Sequence, residues 1–257
     1  MKERKKNKPM DKINHRHHFG IMLDTETANT IVEEDNKLDM RYVLPYDIGF
    51  AVADKRGNIY EKGSYMVADM FFDYPDLLET AYYKEKLPQY WADYENGTRT
   101  LARLTTVKSI ISNLMAEYEI TDVYAYNMSF DSNGLNRSTR YITKSKMRYF
   151  FPYGTEIHCI WHMACQVLYT QKTFFRMAEK ENWISPSGNL MTSAEIGMRY
   201  IGCDKDFEES HTGLEDVLIE TQILAKCFAQ HKKMETSVNR ACWRIPQKFY
   251  KEFCENS

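Results

Sequence analysis

Residues 18–27 read His-Phe-Gly-Ile-Met-Leu-Asp-Thr-Glu-Thr, a short apolar run that ends in two acidic residues. A run of this kind predicts a β-strand. Because side chains two positions apart in a strand point the same way, Asp24 and Glu26 should lie together. Burying either carboxylate without a counter-cation would cost free energy. Carboxylate oxygens are hard ligands that suit Mg²⁺ or Mn²⁺. The alternative is a strand that runs out into a solvated loop, so a metal site requires carboxylates from elsewhere in the chain.

The composition is typical of a globular protein. Of 257 residues, 43% are hydrophobic and 27% charged, which is enough for the core of one large α/β domain. The net charge of −2 excludes a strongly basic nucleic-acid coat protein. It does not exclude an enzyme that gathers carboxylates around cations and still binds a polyanion.

The N-terminal residues 1–17 are rich in lysine and arginine, which predicts a flexible basic arm. The functional interpretation is a loose phosphate-binding tail, and the simpler one, which we prefer, is a solvated terminus. No segment is apolar enough for a signal peptide or a membrane span. We therefore expect a cytoplasmic protein without a membrane partner and without disulfide bonds.

The cysteines raise the question of a zinc site. There are six, and none forms a Cys-x-x-Cys pair. Two imidazoles and two thiols do occur close together, at His158, Cys159, His162 and Cys165. Because their neighbours are mostly apolar, we interpret the segment as a buried strand that passes into a helix. A zinc-stabilised interaction protein is the minor alternative.

The first half of the chain predicts an antiparallel meander after the first strand. Residues 43–54 and 59–67 have strand patterns, and the turn signal Gly57-Asn58 between them favours a hairpin. Residues 71–97 are rich in aromatic and charged side chains and contain two prolines, which predicts short helical pieces. We interpret that segment as an insertion that caps a cleft.

The second half predicts helices and parallel strands. Apolar residues at helical spacing over 101–118 are followed by a strand pattern over 122–127. A helix that crosses between strands implies parallel pairing. A further strand near Ile157 and an amphipathic helix over 212–233 complete the pattern. The fold class expected is α/β, with a mixed central sheet flanked by helices.

Further acidic residues stand where regular elements begin. Asp131 follows the strand pattern at 122–127, at a strand-to-helix turn, where α/β sheets bind ligands; its other interpretation is a helix-capping acid. Thr212-x-x-Glu215 is a capping-box pattern, which places His211 before the helix and Asp216 at its fourth position. These two positions normally carry an apolar clasp, so we expect His211 and Asp216 to meet there. Alone, the segment slightly favours the simpler interpretation of a helix cap with an exposed histidine.

The joint occurrence of these residues resembles the DEDDh branch of the DnaQ-like 3′–5′ exonucleases, which share a ribonuclease-H-like fold. Asp24-Thr-Glu26-Thr is similar to the first motif of that family. Tyr126-Asn-Met-Ser-Phe-Asp131 is similar to the second, and His211-x-x-x-x-Asp216 to the third. Residues 46–52 also resemble the strand that follows the first motif.

The resemblance implies a two-metal phosphodiester hydrolase. Two divalent ions, Mg²⁺ or Mn²⁺, offset charge on the phosphoryl group and activate water. The family pattern implies His211 as general base, since its unperturbed pKa is about 6.5. It also implies carboxylate ligands for the ions and a terminal-nucleotide site. The ligands are Asp24, which bridges the ions, Glu26, Asp131 and Asp216, and the nucleotide site includes Thr25, Thr27 and Asn127.

Some residues depart from the family pattern. Ala28-Asn29 stands where Thr-Gly is common, and Tyr126 where a histidine is common. We expect these changes to affect the nucleoside pocket and therefore substrate preference. A basic run over 137–148, interleaved with aromatic residues, could follow a nucleic-acid backbone. We prefer the simpler interpretation of a solvated helix face followed by a buried strand.

These inferences predict a domain plan and a function. We expect a basic arm over 1–17, an exonuclease domain over 18–235 with an insertion near 71–97, and a C-terminal extension over 236–257. The leading hypothesis is a 3′–5′ exonuclease that releases nucleoside monophosphates from the 3′ ends of single-stranded DNA. An exoribonuclease and a non-catalytic nucleic-acid-binding module are the alternatives. The sequence does not identify a polymerase or other replication or repair partner.

Overall fold

The computed structural model describes residues 13–15, 17–32 and 38–255. The strands in these ranges run as follows: β1, Phe19–Ala28; β2, Ile31–Val32; β3, Leu38–Asp39; β4, Leu44–Asp54; β5, Ile59–Val67; β6, Thr100–Ala102; β7, Asp122–Ala125; and β8, Glu156–Cys159. β2 and β3 form a small separate hairpin, and the other six strands form one sheet.

The large sheet has the order β6-β5-β4-β1-β7-β8. β1 pairs antiparallel with β4, and β4 pairs antiparallel with β5. β7 and β8 then add parallel strands on the other side of β1. The predicted mixed sheet, a meander followed by parallel strands, is therefore confirmed, and the first strand lies near its middle. The turn between β4 and β5 is held by Asp54, whose carboxylate accepts hydrogen bonds from the amides of Arg56 and Asn58.

Helices cover both faces of the sheet. They are α1, Pro75–Leu78; α2, Leu87–Glu95; α3, Leu104–Glu117; α4, Met128–Thr143; α5, Ile160–Val167; α6, Lys172–Lys180; α7, Ala194–Gly202; α8, Gly213–Phe228; and α9, Arg244–Glu255. The core is split accordingly. One apolar cluster joins β1, β4 and β7 to α3 and α4, and a second joins the opposite face to α5, α6, α7 and α8. Before the register shift between Glu26 and Thr27, Phe19, Ile21 and Leu23 of β1 belong to the first cluster and Met22 to the second, as the two-residue period of a strand requires.

Several boundaries differ from the sequence prediction. The helix expected over 212–233 ends at Phe228, and the C-terminal helix α9 was not anticipated. The short helical pieces predicted for the 71–97 segment are present. Each of its two prolines lies in the first turn of one of them, where the missing amide would be unpaired anyway. The buried strand expected after the basic run does not form, and Tyr149 there is 69% exposed.

A pair of glycines sets the position of α8 on the sheet. A Cβ atom added to Gly49 in β4 would lie 2.1 Å from the carbonyl carbon of Gly213. One added to Gly213, the first residue of α8, would lie 2.7 Å from the amide nitrogen of Gly49. Only residues without side chains permit this backbone contact. The start of α8 is thereby held beside β1, where it carries the third motif.

Two further expectations concern the chain as a whole. Within the described ranges, no helix is long and apolar enough to cross a membrane. Most of the predicted basic arm, including residues 1–12, lies outside the described residues.

Candidate metal centre

The first motif lies at the carboxyl-terminal part of β1, in the middle of the sheet. Asp24 and Glu26 project to the side on which α8 packs, as their spacing predicts. One carboxylate oxygen from each, together with one from Asp216 in the first turn of α8, lies within 4.8 Å of the other two. Glu26 is only 7% exposed. Three oxygen ligands at this separation could share one divalent cation.

The second motif brings a carboxylate to the same end of the sheet. Asp131 lies in the first turn of α4, just after β7, and is 3% exposed. The hydroxyl of Thr25 donates a hydrogen bond of 2.8 Å to its Oδ1 atom. Thr25 therefore fixes the carboxylate of Asp131. Its charge helps to raise the pKa values of Asp24 and Glu26, although it is not in the group that lies within 4.8 Å. The nucleotide-binding role expected at Thr25 concerns its backbone groups and stays a prediction, and its side chain binds Asp131.

The structure adds a fifth acidic residue that sequence reasoning missed. Glu220 lies one helical turn after Asp216 on α8 and is 3% exposed. The backbone amide of Tyr126 donates a hydrogen bond of 3.2 Å to its Oε2 atom. Spacing alone could have found it, because residues four apart on a helix lie on one face. We call the following five residues the carboxylate cluster: Asp24, Glu26, Asp131, Asp216 and Glu220.

The electrostatics of the carboxylate cluster favour a positive charge. Burial, followed by repulsion from Asp216, raises the pKa of Glu26 to about 9. Burial raises the pKa of Asp216 to about 8, with Glu209 as the next cause. Burial also raises the pKa of Asp131 to about 7, despite the hydrogen bond from Thr25. These carboxylates repel one another in a poorly solvated space, which a divalent cation would relieve.

The third motif forms at the start of α8 largely as predicted. Thr212 is the N-cap residue, His211 precedes it, and Asp216 is the fourth helical residue. The side chain of Thr212 donates to Glu215 Oε2 at 2.7 Å, so the two capping-box residues do meet. His211 has a left-handed backbone with φ of 52°, a conformation that histidine adopts more readily than most residues.

The expected meeting of the His211 and Asp216 side chains does not occur. The ring of His211 stacks on the ring of Tyr83, with centroids 4.4 Å apart and planes inclined by 10°. Burial lowers the pKa of His211, and Glu195 is the strongest opposing influence. The carboxylate of Asp216 instead receives backbone hydrogen bonds from Thr212 and His211. Tyr83 belongs to the 71–97 segment, so this segment does reach the site.

A buried ion pair ties the start of α8 to the rest of the site. Asp47 in β4 is fully buried and accepts hydrogen bonds from Arg99 and from the amide of Gly213, each at 2.9 Å. The hydroxyl of Tyr90 in α2 donates to the same carboxylate at 3.0 Å. The guanidinium of Arg99 also lies 4.3 Å from the ring centre of Tyr90. Asp47 therefore joins the 71–97 segment to the helix that carries Asp216.

The remaining predicted nucleotide-binding residues differ in exposure, since Thr27 is buried and Asn127 is exposed. The carbonyl of Thr27 accepts a hydrogen bond of 3.2 Å from the amide of Tyr82. Asn127 is exposed and is the N-cap residue of α4. Tyr126, which stands where a histidine is common in the family pattern, is buried. Its hydroxyl is buried in the second core cluster, 2.7 Å from that of Tyr169.

The zinc alternative has no support in the described part of the chain. The ring nitrogens of His158 contact Asp122 at 2.7 Å and Thr236 at 2.8 Å. The Nδ1 atom of His162 contacts the carbonyl of Ser237 at 2.7 Å. Although Asp122, Glu156 and His158 approach one another within 4.8 Å, no cysteine joins them. The two histidines and two cysteines therefore do not converge on a common point.

No family model matches this sequence, and no curated protein matches it either. Among solved structures, the chain is similar to the nuclease domain of 3′hExo, a DEDDh family member, bound to rAMP. The two are 13% identical, with a TM-score of 0.52, over 86% of this chain and 96% of that one. The chain has the fold of a DEDDh nuclease domain. The ribonuclease-H-like fold expected from the three motifs is thereby confirmed.

A second likeness is to E. coli Exonuclease I in complex with a 5cy-dT13 oligonucleotide. The sequences are 13% identical, the TM-score is 0.46, and the match covers 82% of this chain and 40% of Exonuclease I.

Proposed function

We propose that this protein is a metal-dependent 3′–5′ exonuclease that releases nucleoside monophosphates from single-stranded nucleic acid. The observation that carries the proposal is the convergence of Asp24, Glu26 and Asp216 within 4.8 Å at the middle of a DEDDh-type sheet. The DEDDh domain with a similar fold is bound to rAMP, a nucleoside monophosphate of the product class proposed. DNA is the proposed substrate, and RNA is the nearest alternative.

The residues present fit divalent cations. Glu26 is nearly buried, and none of the described residues donates a hydrogen bond to its carboxylate. A carboxylate in that condition requires a cation or a proton. Asp24, Glu26, Asp131 and Asp216 would hold two ions, Mg²⁺ or Mn²⁺, and Glu220 adds negative charge behind them. Bound there, the ions would supply charge neutralisation at the phosphodiester and activation of water.

The protein side chains would perform the remaining tasks. His211 would accept the proton of the attacking water, and burial favours its neutral, proton-accepting form. The stacked ring of Tyr83 would hold the imidazole near the carboxylate cluster. Thr25 would keep Asp131 oriented through its hydrogen bond. The exposed Asn127, at the start of α4, would contact the terminal nucleotide.

The domain plan remains part of the proposal. We propose residues 18–235 as the exonuclease domain and residues 236–257 as an extension. α9, within that extension, packs on α6 through Tyr250 and Phe253, both of which contact Phe175. A polymerase or another replication or repair protein would be a partner compatible with this activity.

Digestion of single-stranded DNA and RNA of matched sequence tests the proposal. The substrates carry a 5′ label and are incubated with Mg²⁺ or Mn²⁺, with excess chelator as a control. We expect a descending ladder with wild type and none with Asp24→Ala. Asp76→Ala, which removes an exposed carboxylate from α1, is the matched control and should keep full activity.

Two outcomes would contradict the proposal. One is cleavage that survives excess chelator, which would exclude a role for divalent cations. The other is intact substrate with folded, cation-loaded wild-type protein, which would favour the non-catalytic binding module. A separate measurement addresses His211. His211→Ala should lower kcat strongly while calorimetry still detects Mn²⁺ binding, because the ring is not a proposed ligand.

A further inference from the structure

A cleft of about 600 Å³ opens beside the proposed catalytic centre. It lies between the first turns of α4, the start of α5, the segment before β4 and the segment before α9. Its volume is in the range of about 300–1,000 Å³ that is common for ligand sites. Asn127, the N-cap residue of α4, forms part of its wall.

Helix geometry connects this cleft to the carboxylate cluster. Phe130, Asn133 and Arg137 line the cleft, and their spacing of three and four residues places them on one stripe of α4. Asp131, the next residue after Phe130, is buried and turned toward the cluster. The cleft and Asp131 therefore lie on adjoining faces of the first turn of α4. A nucleic-acid strand that follows this stripe would reach the carboxylate cluster at the N-terminal end of α4.

The cleft carries a net positive charge. Arg41, Arg137 and Arg240 line it, and Asp39 is the acidic residue among the described lining residues. Asp39 is bound to Arg41 by two side-chain hydrogen bonds of 2.9 Å. Arg137 donates to the carbonyl of Val43 at 3.2 Å, and Arg240 donates to the hydroxyl of Ser129 at 2.8 Å. The sequence contains 36 aspartate and glutamate residues. In the described ranges, none of their carboxylates lies within ion-pair distance of Arg137 or Arg240.

Aromatic rings lie among these arginines. Trp161 lines the cleft, and its indole is fixed by a hydrogen bond of 2.9 Å from Nε1 to the hydroxyl of Thr192. Phe130 is half-buried on the neighbouring wall. Tyr42 is 55% exposed at the rim, where the guanidinium of Arg137 lies 5.7 Å from its ring centre. Fixed rings between cations match a polymer that alternates flat bases with phosphates.

We propose that this cleft binds the single-stranded part of the substrate that lies upstream of the scissile phosphate. Arg137 and Arg240 contact its phosphates, and Trp161 and Phe130 stack on its bases. The inference rests on the proposed nuclease function, whose substrate it specifies. Base pairing would hide the faces that the two rings require, so the strand that occupies the cleft is unpaired. Arg240 and Trp161 lie outside the three sequence motifs, so the motifs alone do not specify this strand site.

A comparison of two substrates tests the proposal. The p-nitrophenyl ester of thymidine 5′-monophosphate offers one phosphodiester and no upstream strand, whereas oligodeoxythymidylate offers both. We expect Arg137→Ala and Arg240→Ala to raise KM for the oligonucleotide about tenfold more than for the ester. Each should also reduce the slope of log KM against log salt by about 0.7, the value for one phosphate contact on a single strand.

The aromatic contribution has its own variant pair. Trp161→Ala should raise KM for the oligonucleotide by about tenfold, since stacking of one base contributes roughly 1–3 kcal/mol. Trp161→Phe keeps an aromatic face and should restore most of this loss. Arg56→Ala is the charge-matched control, because Arg56 is exposed in the turn between β4 and β5. It should leave KM unchanged for both substrates.

The outcomes separate this inference from the proposed function. Equal effects on the ester and the oligonucleotide, or an effect of Arg56→Ala as large as that of Arg137→Ala, would overturn the strand site. If wild type cleaves neither substrate, the proposed function fails, and binding of labelled oligodeoxythymidylate still tests the cleft. Fluorescence anisotropy should then show weaker binding for Arg137→Ala than for Arg56→Ala. Equal affinities would refute the inference.

Discussion

Replacing Arg99 by methionine should destabilise the protein far more than the loss of an exposed charge. Asp47 is fully buried and Arg99 is 4% exposed, so the ion pair is excluded from water. Methionine keeps much of the apolar stem and removes the positive charge. The carboxylate of Asp47 would then retain only its hydrogen bonds from Tyr90 and Gly213.

The expected loss follows from this burial. Breaking a buried pair by removing one partner costs about 3–5 kcal/mol, whereas an exposed pair contributes about 0–1 kcal/mol. For a chain of this size, that loss corresponds to a decrease in melting temperature of roughly 6–20 °C. Asp47→Asn combined with Arg99→Met should recover most of it, because the double variant removes the fully buried charge. Asp93 and Glu215, which Arg99 also approaches at 3.5 and 3.6 Å, are more accessible to water. The amide oxygen of asparagine can still accept the hydrogen bond from Gly213.

The pH dependence of the free energy of unfolding tests the same ion pair independently. Burial raises the pKa of Asp47 and Arg99 lowers it, so without Arg99 the pKa should rise further. A carboxyl group whose pKa is raised on folding stabilises the protein at low pH and loses that contribution as pH rises through the folded-state pKa. The deficit of Arg99→Met should therefore shrink as the pH falls from 8 toward about 4.

Denaturant unfolding followed by tryptophan fluorescence measures these differences. A loss below about 1 kcal/mol would show that the pair behaves as an exposed one, and would refute the argument from burial. A double variant no more stable than Arg99→Met would also refute it. Arg103→Met is the comparison, since that side chain pairs with Asp69 and Asp73 at a half-exposed position.

Three further predictions concern the site. Without divalent cations, wild-type stability should fall as the pH rises from 4.5 toward about 9, because folding raises the pKa of Glu26 over this range. Glu26→Gln should therefore raise the melting temperature at pH 8, measured by calorimetry, and it should abolish cleavage. Gly213→Ala should cost about 1–3 kcal/mol in denaturant unfolding, because its Cβ atom would lie 2.7 Å from the Gly49 amide, whereas Gly202→Ala meets nothing within 4 Å and should not destabilise. Tyr83→Ala should lower kcat by up to about tenfold by removing the ring that stacks on His211, and Tyr83→Phe should restore it; equal rates for all three proteins would exclude this role.

The carboxylate positions could be predicted because their signals are local. An apolar strand ending in Asp24 and Glu26, a strand-to-helix turn before Asp131 and a capping box before Asp216 each depend on a few neighbouring residues. The turn at Gly57-Asn58 likewise predicted the antiparallel pairing of β4 and β5. Glu220 was within reach of the same reasoning, since it lies four residues after Asp216 on one helix face.

Contacts between distant segments could not be predicted in this way. The stacking of Tyr83 on His211 joins residues more than a hundred positions apart, and the hydrogen bond from Gly213 to Asp47 spans 166. The cleft that contains Arg137 and Arg240 is likewise built from separate segments.

By itself, therefore, the sequence determined the main strands of the sheet, the long helices α3 and α8, and four of the five residues of the carboxylate cluster. Hydrophobic periodicity and helix capping depend on residues only a few positions apart, so the local sequence is enough to predict them. Only the tertiary structure decided what surrounds those carboxylates: the partner of His211, the support of α8 and the charge of the cleft beside α4. These depend on how the 71–97 segment and the C-terminal segment pack against the sheet, and no local pattern specifies that packing.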